Sequence, residues 1–352
     1  MSDIRVTVFG KTDLGRTRDH NEDTFLVADL SNARANLLPD VRDHVVGERG
    51  SLFMVADGMG GAAAGEVASQ MAAAIIYRHL LENWIHDPEP SPTQFARHVR
   101  EAVERANQEI HAYALEHPDV RGMGTTLTAA GVFGGDLFLA QIGDSRAYLI
   151  RGGRGFQVTK DQSLTQRLVD AGELTEEEAE SSMRRNIILQ ALGPDPRVKV
   201  VLTSQRVSRG DVLVVCSDGL SGLVKKDEIA TIVSEETDLQ RVCTRLVDLA
   251  NERGGPDNIT VIAARFEGEG LPLPTEVEEP SHKVYRLPGS ASTSDEHATT
   301  LPPAPVLPPP VPAAAPPPVV EAVPESRPNS RGVVYSIVLL AAAILVWYLL
   351  RS

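Results

Sequence analysis

The chain has 352 residues, with 34 Lys and Arg against 48 Asp and Glu, a formal net charge of −14. That balance argues against nucleic acid or an anionic lipid surface as the main partner, because either would repel the protein. The 2 cysteines, Cys216 and Cys243, exclude a disulfide framework and a cysteine-based zinc site, and Cys216 inside VLVVCSDG reads as a small buried hydrophobe.

From the N-terminus, IRVTVFG, TFLVADL and SLFMVAD read as strands, being short, apolar and rich in β-branched residues. GEVASQMAAAIIYRHLLENW, rich in Ala and Leu, then reads as a helix. TQFARHVREAVERANQEIHAYALEH is a second helix, with Phe95, Val99, Ala102, Val103, Ala106, Ile110 and Tyr113 on one face. TTLTAAGVF and DLFLAQIGD follow as a hairpin turned by GG, and RAYLIRG as a further strand. SLTQRLVDAG and TEEEAESSM are helical; VKVVLTS and DVLVVCSD are strands. DLQRVCTRLVDLANER is the last helix and NITVIAARF the last strand. Helices come in pairs between blocks of strands, which predicts an α+β fold of mainly antiparallel sheets covered by helices. One domain is expected over residues 3–268.

Beyond it the composition changes. Residues 269–330, including LPPAPVLPPPVPAAAPPPVV, cannot bury enough apolar surface to offset chain entropy and read as a disordered Pro/Ala-rich linker. Residues 333–350 carry no charge, and at about 1.5 Å per residue they span about 27 Å, the thickness of a bilayer's hydrocarbon. Trp347 and Tyr348 suit an interfacial belt and Arg331 and Arg351 bracket the run, so a single transmembrane helix is expected. The polar N-terminus MSDIRVTVFGKTDLGRTRDH lacks a signal-peptide core, which places the expected folded domain on the cytoplasmic side of a cell membrane.

An acid recurs at the ends of apolar strands: Asp57 in LFMVADG, Asp144 in LFLAQIGDSR, Asp218 in VLVVCSDG, and Asp257 ahead of NITVIAARF. Glu22 and Asp23 precede TFLVADL. The glycines after Asp57 do not form a nucleotide loop, since no GK[ST] follows at the required spacing. Carboxylates clustered at one sheet rim repel unless a cation holds them. Hard divalent ions take such oxygen ligands, so the pattern predicts a two-metal site. Gly58 is expected to turn the chain and offer its carbonyl, with Gly60 and Gly61 letting backbone approach the ions.

RTRDHNEDTF, FMVADGMGG, GMGTTLTAA, IGDSRAYLIR, VVCSDGL and GGPDNITVI, in that order, resemble the bacterial branch of the PPM/PP2C family over residues 3–266. The resemblance implies a sandwich of two antiparallel β-sheets flanked by helix pairs. It also implies metal-dependent hydrolysis of phosphoserine and phosphothreonine in proteins. By position, Asp57 resembles the carboxylate bridging two Mn²⁺ or Mg²⁺ ions, with the Gly58 carbonyl on the first and Asp218 and Asp257 on the second. Asp144, sharing Asp218, resembles the ligand of a third, weaker ion. Glu22 and Asp23 match the acidic pair acting through water, and Arg18 the arginine that grips substrate phosphate, as a planar guanidinium does well. Met59 stands where eukaryotic members carry a histidine, so protonation of the leaving alkoxide falls to another group. Residues 161–193 resemble the family's flap, and its acidic ELTEEEAE, if it faces the site, would favour substrates with basic flanks. A serine/threonine kinase acting on the same substrates is the partner expected from the class.

Three other readings compete, one of them a regulator of anti-sigma-antagonist type that shares the family's core fold, against which the motif from Arg18 to Asp23 and the flap-like insertion count. A two-metal nuclease would need a basic groove, and the acidic surface counts against one. A catalytically silent, membrane-tethered phosphoprotein-binding scaffold would be expected to have lost a metal ligand, and every matched position retains one.

Overall fold

The computed structural model describes residues 4–35, 43–60, 64–182, 184 and 186–288. Strand β5 (Ser51–Met59) explains the architecture on its own. Leu52, Met54 and Ala56 pack in one apolar cluster and Phe53 and Val55 in another, so the strand is buried on both faces. A continuous apolar run, rather than alternation with polar residues, is what such a position requires.

β5 is central in a sheet ordered β11 (Val201–Arg206), β8 (Asp136–Ile142), β7 (Leu127–Phe133), β5, β2 (Asp23–Asp29), β3 (Arg34–Ala35), with β6 (Gly124–Thr125) paired to the end of β5. The second sheet runs β10 (Arg154–Gln157), β9 (Arg146–Arg151), β12 (Val212–Cys216), β13 (Ile259–Glu267), β1 (Arg5–Asp13), β4 (Asp43–Val45). All of the recorded strand pairings are antiparallel. Val6, Phe53, Val55, Leu139, Leu149, Leu213, Ile262 and Phe266 fill the space between the sheets. Helices α1 (Ala64–His79) and α2 (Pro92–Glu116) cover the first sheet. Helices α6 (Lys226–Glu235) and α7 (Leu239–Glu252) cover the second. The α+β sandwich with flanking helix pairs is therefore the observed fold of the described residues.

Three differences from the sequence reading have physical causes. Helix α6 was not anticipated, although Ile229, Ile232 and Val233 recur at helical spacing and Glu228 accepts from the backbone N–H of Lys225. The helix expected through Trp84 ends at His79, and Leu80–Trp84 forms a π-turn. That turn sets the buried Trp84 ring 5.2 Å from Phe95 and 5.3 Å from Phe133 and lets its indole N–H donate to Arg49 O. Finally, the domain does not end at 268. Leu271 enters the cluster between the sheets, Leu287 joins the cluster under α1 and α2, and Tyr285 stacks edge-on to Phe138. The described part of the expected linker, 269–288, is thus packed on the domain.

No helix among the described residues is long and apolar enough to cross a membrane. The expected span 333–350 and the rest of the Pro-rich segment lie outside the described residues.

Candidate active site

At one rim of the sandwich both sheets end in acids. Asp57 lies near the end of β5 and is the direct register partner of Asp23, the first residue of β2. Asp218 follows β12 as the first residue of the short helix α5 (Asp218–Ser221), Asp257 precedes β13, and Asp144 follows β8. Asp23 spans the two sheets, its Oδ2 accepting from Ser217 Oγ at 2.8 Å.

The backbone around these acids is pinned by polar side chains that the sequence reading did not single out. Thr126 N and Thr125 Oγ1 both donate to the Asp57 carbonyl, at 2.8 and 2.9 Å, while Asp57 N donates to Thr126 Oγ1. Thr126 Oγ1 also meets Ser145 Oγ at 2.7 Å, tying the loop that carries Asp144 to the one that carries Asp57. Asn258 donates to the carbonyls of Leu14 and His20 and accepts from Glu22 N, so the segment bearing Arg18, Glu22 and Asp23 is held against Asp257. The signal was present in GTTLT and PDN, whose polar residues flank strands that are otherwise apolar.

The expected role of Gly58 as a turn is corrected. The strand continues through Gly58 to Met59, and the chain departs only at Gly60, where φ is 131°. A Cβ at Gly58 would lie 2.2 Å from the Gly65 carbonyl oxygen and 2.6 Å from that of Glu22, so close approach of α1 and the Glu22 backbone requires glycine there. Gly61 lies outside the described residues.

The electrostatics of this basin are those of a cation site. Burial, then repulsion from Asp23, Asp218, Asp144 and Asp257, pushes the Asp57 carboxyl well above the usual carboxylate range. Burial raises Asp23 to about 7 despite hydrogen bonds from Thr260 and Ser217, and burial followed by Asp218 raises Asp144 to about 8. Glu22 is raised too, mainly by burial. Asp23 Oδ1 is buried with no hydrogen-bond partner. Several mutually repelling carboxylates, one with an unsatisfied buried oxygen, fit hard divalent ions with oxygen ligands.

Arg18 brings a guanidinium to this rim. Its Nη2 lies 2.8 Å from Asp257 Oδ2, and with about half its side chain exposed it keeps further N–H donors open to a cleft of about 460 Å³. Asp144, Asp218, Asp257, Arg146, Asp161 and Asn186 line the same cleft. Arg146 makes a bidentate pair with Asp161, its Nε 3.0 Å and Nη2 2.7 Å away, at the point where the flap-like segment leaves the domain. That segment carries α3 (Leu164–Asp170) and α4 (Glu176–Ser181). Glu176 and Glu177 line a groove that shares Arg146, Asp161, Ser221, Gly222 and Leu223 with the cleft.

A consequence for stability follows from these carboxyls. Without cations, folding raises the proton affinity of Asp23 and Asp144 above the ordinary value of 3.8. The folded state then binds more protons than the unfolded, so their contribution is full below that value and is lost as pH rises toward 7–8. In EDTA the thermal midpoint is expected to fall by on the order of 5–10 °C between about pH 5 and pH 8, and Mn²⁺ or Mg²⁺ to remove most of the fall. A flat profile in EDTA would contradict the burial of these charges.

Comparison with known proteins agrees with this fold. Residues 36–260 match the family model described as Protein phosphatase 2C. The serine/threonine protein phosphatase PstP of Mycobacterium tuberculosis is 44% identical over 213 residues, 60% of this chain and 40% of PstP's own length. Listeria monocytogenes serine/threonine phosphatase stp is 35% identical over 253 residues, 72% of this chain and 92% of that protein. The PstP catalytic domain solved in complex with 2 manganese ions is 36% identical, covers 75% of this chain and 99% of that one, and superposes with a TM-score of 0.61. On the family match, the identities and the shared sheet sandwich, this chain belongs to the protein phosphatase 2C family of serine/threonine phosphatases.

Proposed function

We propose that this chain hydrolyses phosphoserine and phosphothreonine in proteins at the acidic rim by direct attack of water, using Mn²⁺ or Mg²⁺. The observation that carries the reading is the convergence of Asp23, Asp57, Asp144, Asp218 and Asp257 from both sheets onto one basin. Asp57, Asp218 and Asp257, with the Gly58 carbonyl, would hold two ions, and Asp144 with Asp218 a third. Bound there, the ions supply Lewis acidity and acidify water at neutral pH. Arg18 receives phosphate oxygens with the donors that its pair with Asp257 leaves open, and orients the phosphorus over the basin. Glu22 and Asp23 act through water, and Asp23 also orients Ser217. Glu176 and Glu177, on the flap side of the adjoining groove opposite its Lys225 and Lys226, would meet basic residues near the phosphorylated one.

The catalytic domain is tethered to the cytoplasmic face of a membrane by residues 333–350, whose lack of charge between Arg331 and Arg351 supports a single span. Tethering would confine it near a membrane-associated kinase acting on the same proteins.

The deciding experiment is phosphate release from a phosphothreonine peptide by the detergent-solubilised chain with Mn²⁺, with Mg²⁺ and with EDTA. Turnover that needs the metal is expected. A folded protein inactive with either ion would transfer the reading to a phosphoprotein-binding scaffold. Removal of residues 332–352 should leave peptide turnover unchanged and release the protein from membranes.

A further inference from the structure

A second cluster of ligand atoms lies at the opposite end of α1. Gly65, at the start of the helix, packs against Glu22 and Gly58 of the acidic rim, and His79 ends the helix about 21 Å farther on. There, His79 from α1 faces His98 and Glu101 from α2, with imidazole and carboxylate donor atoms all within 4.8 Å of one another. In this cluster His79 Nε2 and His98 Nδ1 are buried and make no hydrogen bond. Buried polar atoms of this kind cost stability unless something satisfies them.

The surroundings select a ligand. His98 Nε2 lies 3.0 Å from Asp87 Oδ2, and Asp87 is itself held by Glu89 N at 2.8 Å. A carboxylate on one ring nitrogen keeps the proton there and leaves the other nitrogen's lone pair facing outward, here toward His79 and Glu101. Tilted packing of the His98 ring against Trp84, 5.7 Å between centroids, restricts its rotation. A proton shared between His98 and its two acidic neighbours would satisfy His98 but leave His79 Nε2 without a partner.

We propose that His79, His98 and Glu101 form a binding site for a borderline divalent transition ion of the Zn²⁺ class, separate from the acidic rim, with water as the fourth ligand. Two imidazoles and one carboxylate suit such an ion, whereas the all-oxygen rim suits Mn²⁺ and Mg²⁺. Bonds of about 2.0–2.2 Å need the donors closer than they stand. Rotation of the Glu101 side chain, 42% exposed, together with a turn of the His79 ring supplies that contraction, and the Glu101 oxygen is already 3.7 Å from His98 Nδ1. The ion would staple the end of α1 to α2 across the π-turn at Leu80–Trp84.

The test uses the full chain in detergent, stripped of metal and then saturated with Mg²⁺ to fill the rim. Co²⁺ titrated into it should bind at one further equivalent, with the intense visible bands of a tetrahedral site with nitrogen ligands, and stoichiometric Zn²⁺ should displace it. His79→Gln, and separately the more conservative surface change Glu101→Gln, should abolish the bands and weaken Co²⁺ at least ~100-fold. Both variants should keep the Mg²⁺-supported peptide turnover of the parent, which also reports that they are folded. Absence of tetrahedral bands in the parent, or their persistence in His79→Gln, would overturn the proposal without touching the phosphatase assignment.

Discussion

Asp57→Asn is expected to lower Mn²⁺-supported turnover of a phosphothreonine peptide at least ~10³-fold, about 4 kcal/mol of transition-state stabilisation. The same change should raise the thermal midpoint of the metal-free protein at pH 8. The two effects have one origin. Asp57 is half-buried and ringed by Asp23, Asp144, Asp218 and Asp257, and its carboxyl is pushed well above the carboxylate range. An amide of the same shape removes the repelled charge and keeps the backbone bonds from Thr125 and Thr126 to the Asp57 carbonyl. It also removes the oxygen charge that, on the proposed reading, would hold cations. Function and stability are therefore opposed at this residue, as at many sites built to receive charge. Activity and thermal denaturation in EDTA, measured on one sample, decide the matter. A variant that loses turnover and also melts earlier in EDTA would mean that Asp57 carries structure rather than charge.

Ending the chain at residue 268 instead of 288 is expected to destabilise the domain by on the order of 4 kcal/mol, with a thermal midpoint lower by roughly 10 °C. The loss comes mainly from Leu271 and Leu287, which are 3% and 5% exposed. With them goes the contact of Tyr285 with Phe138 and with Thr93 Oγ1. The backbone matters as well. Tyr285 N donates to Leu202 O at 2.8 Å and Ser204 N to Lys283 O at 3.1 Å, so this segment covers the outer edge of β11. Arg151, paired with the buried Asp211, also donates to Glu278 O. An uncovered edge strand invites pairing with other chains, so the shorter protein should aggregate at lower temperature and concentration. Equal midpoints for the two chains would show that residues 269–288 add nothing.

The sequence alone determined much of the fold, because a strand buried on both faces must be apolar along its whole length. SLFMVAD, DLFLAQIGD and NITVIAARF could be read on that ground, and α2 and α7 from their single apolar faces. The acids of the rim were legible for a related reason: an Asp ending such a run has no place in the core and stands out against it. Tertiary structure alone decided the remainder. The bond from Ser217 to Asp23, and the clamp of Thr126 and Ser145 on the Asp57 and Asp144 loops, join residues far apart in sequence, and no local pattern encodes them. Gly58 looked like a turn because its neighbours are glycines, yet the close passage of Gly65 and Glu22, invisible in one dimension, is what requires it. Residues 269–288 looked like linker because they lack period and are rich in proline. Their burial depends on the edge of β11 and the gap beside Phe138, surfaces that exist only once the two sheets have formed.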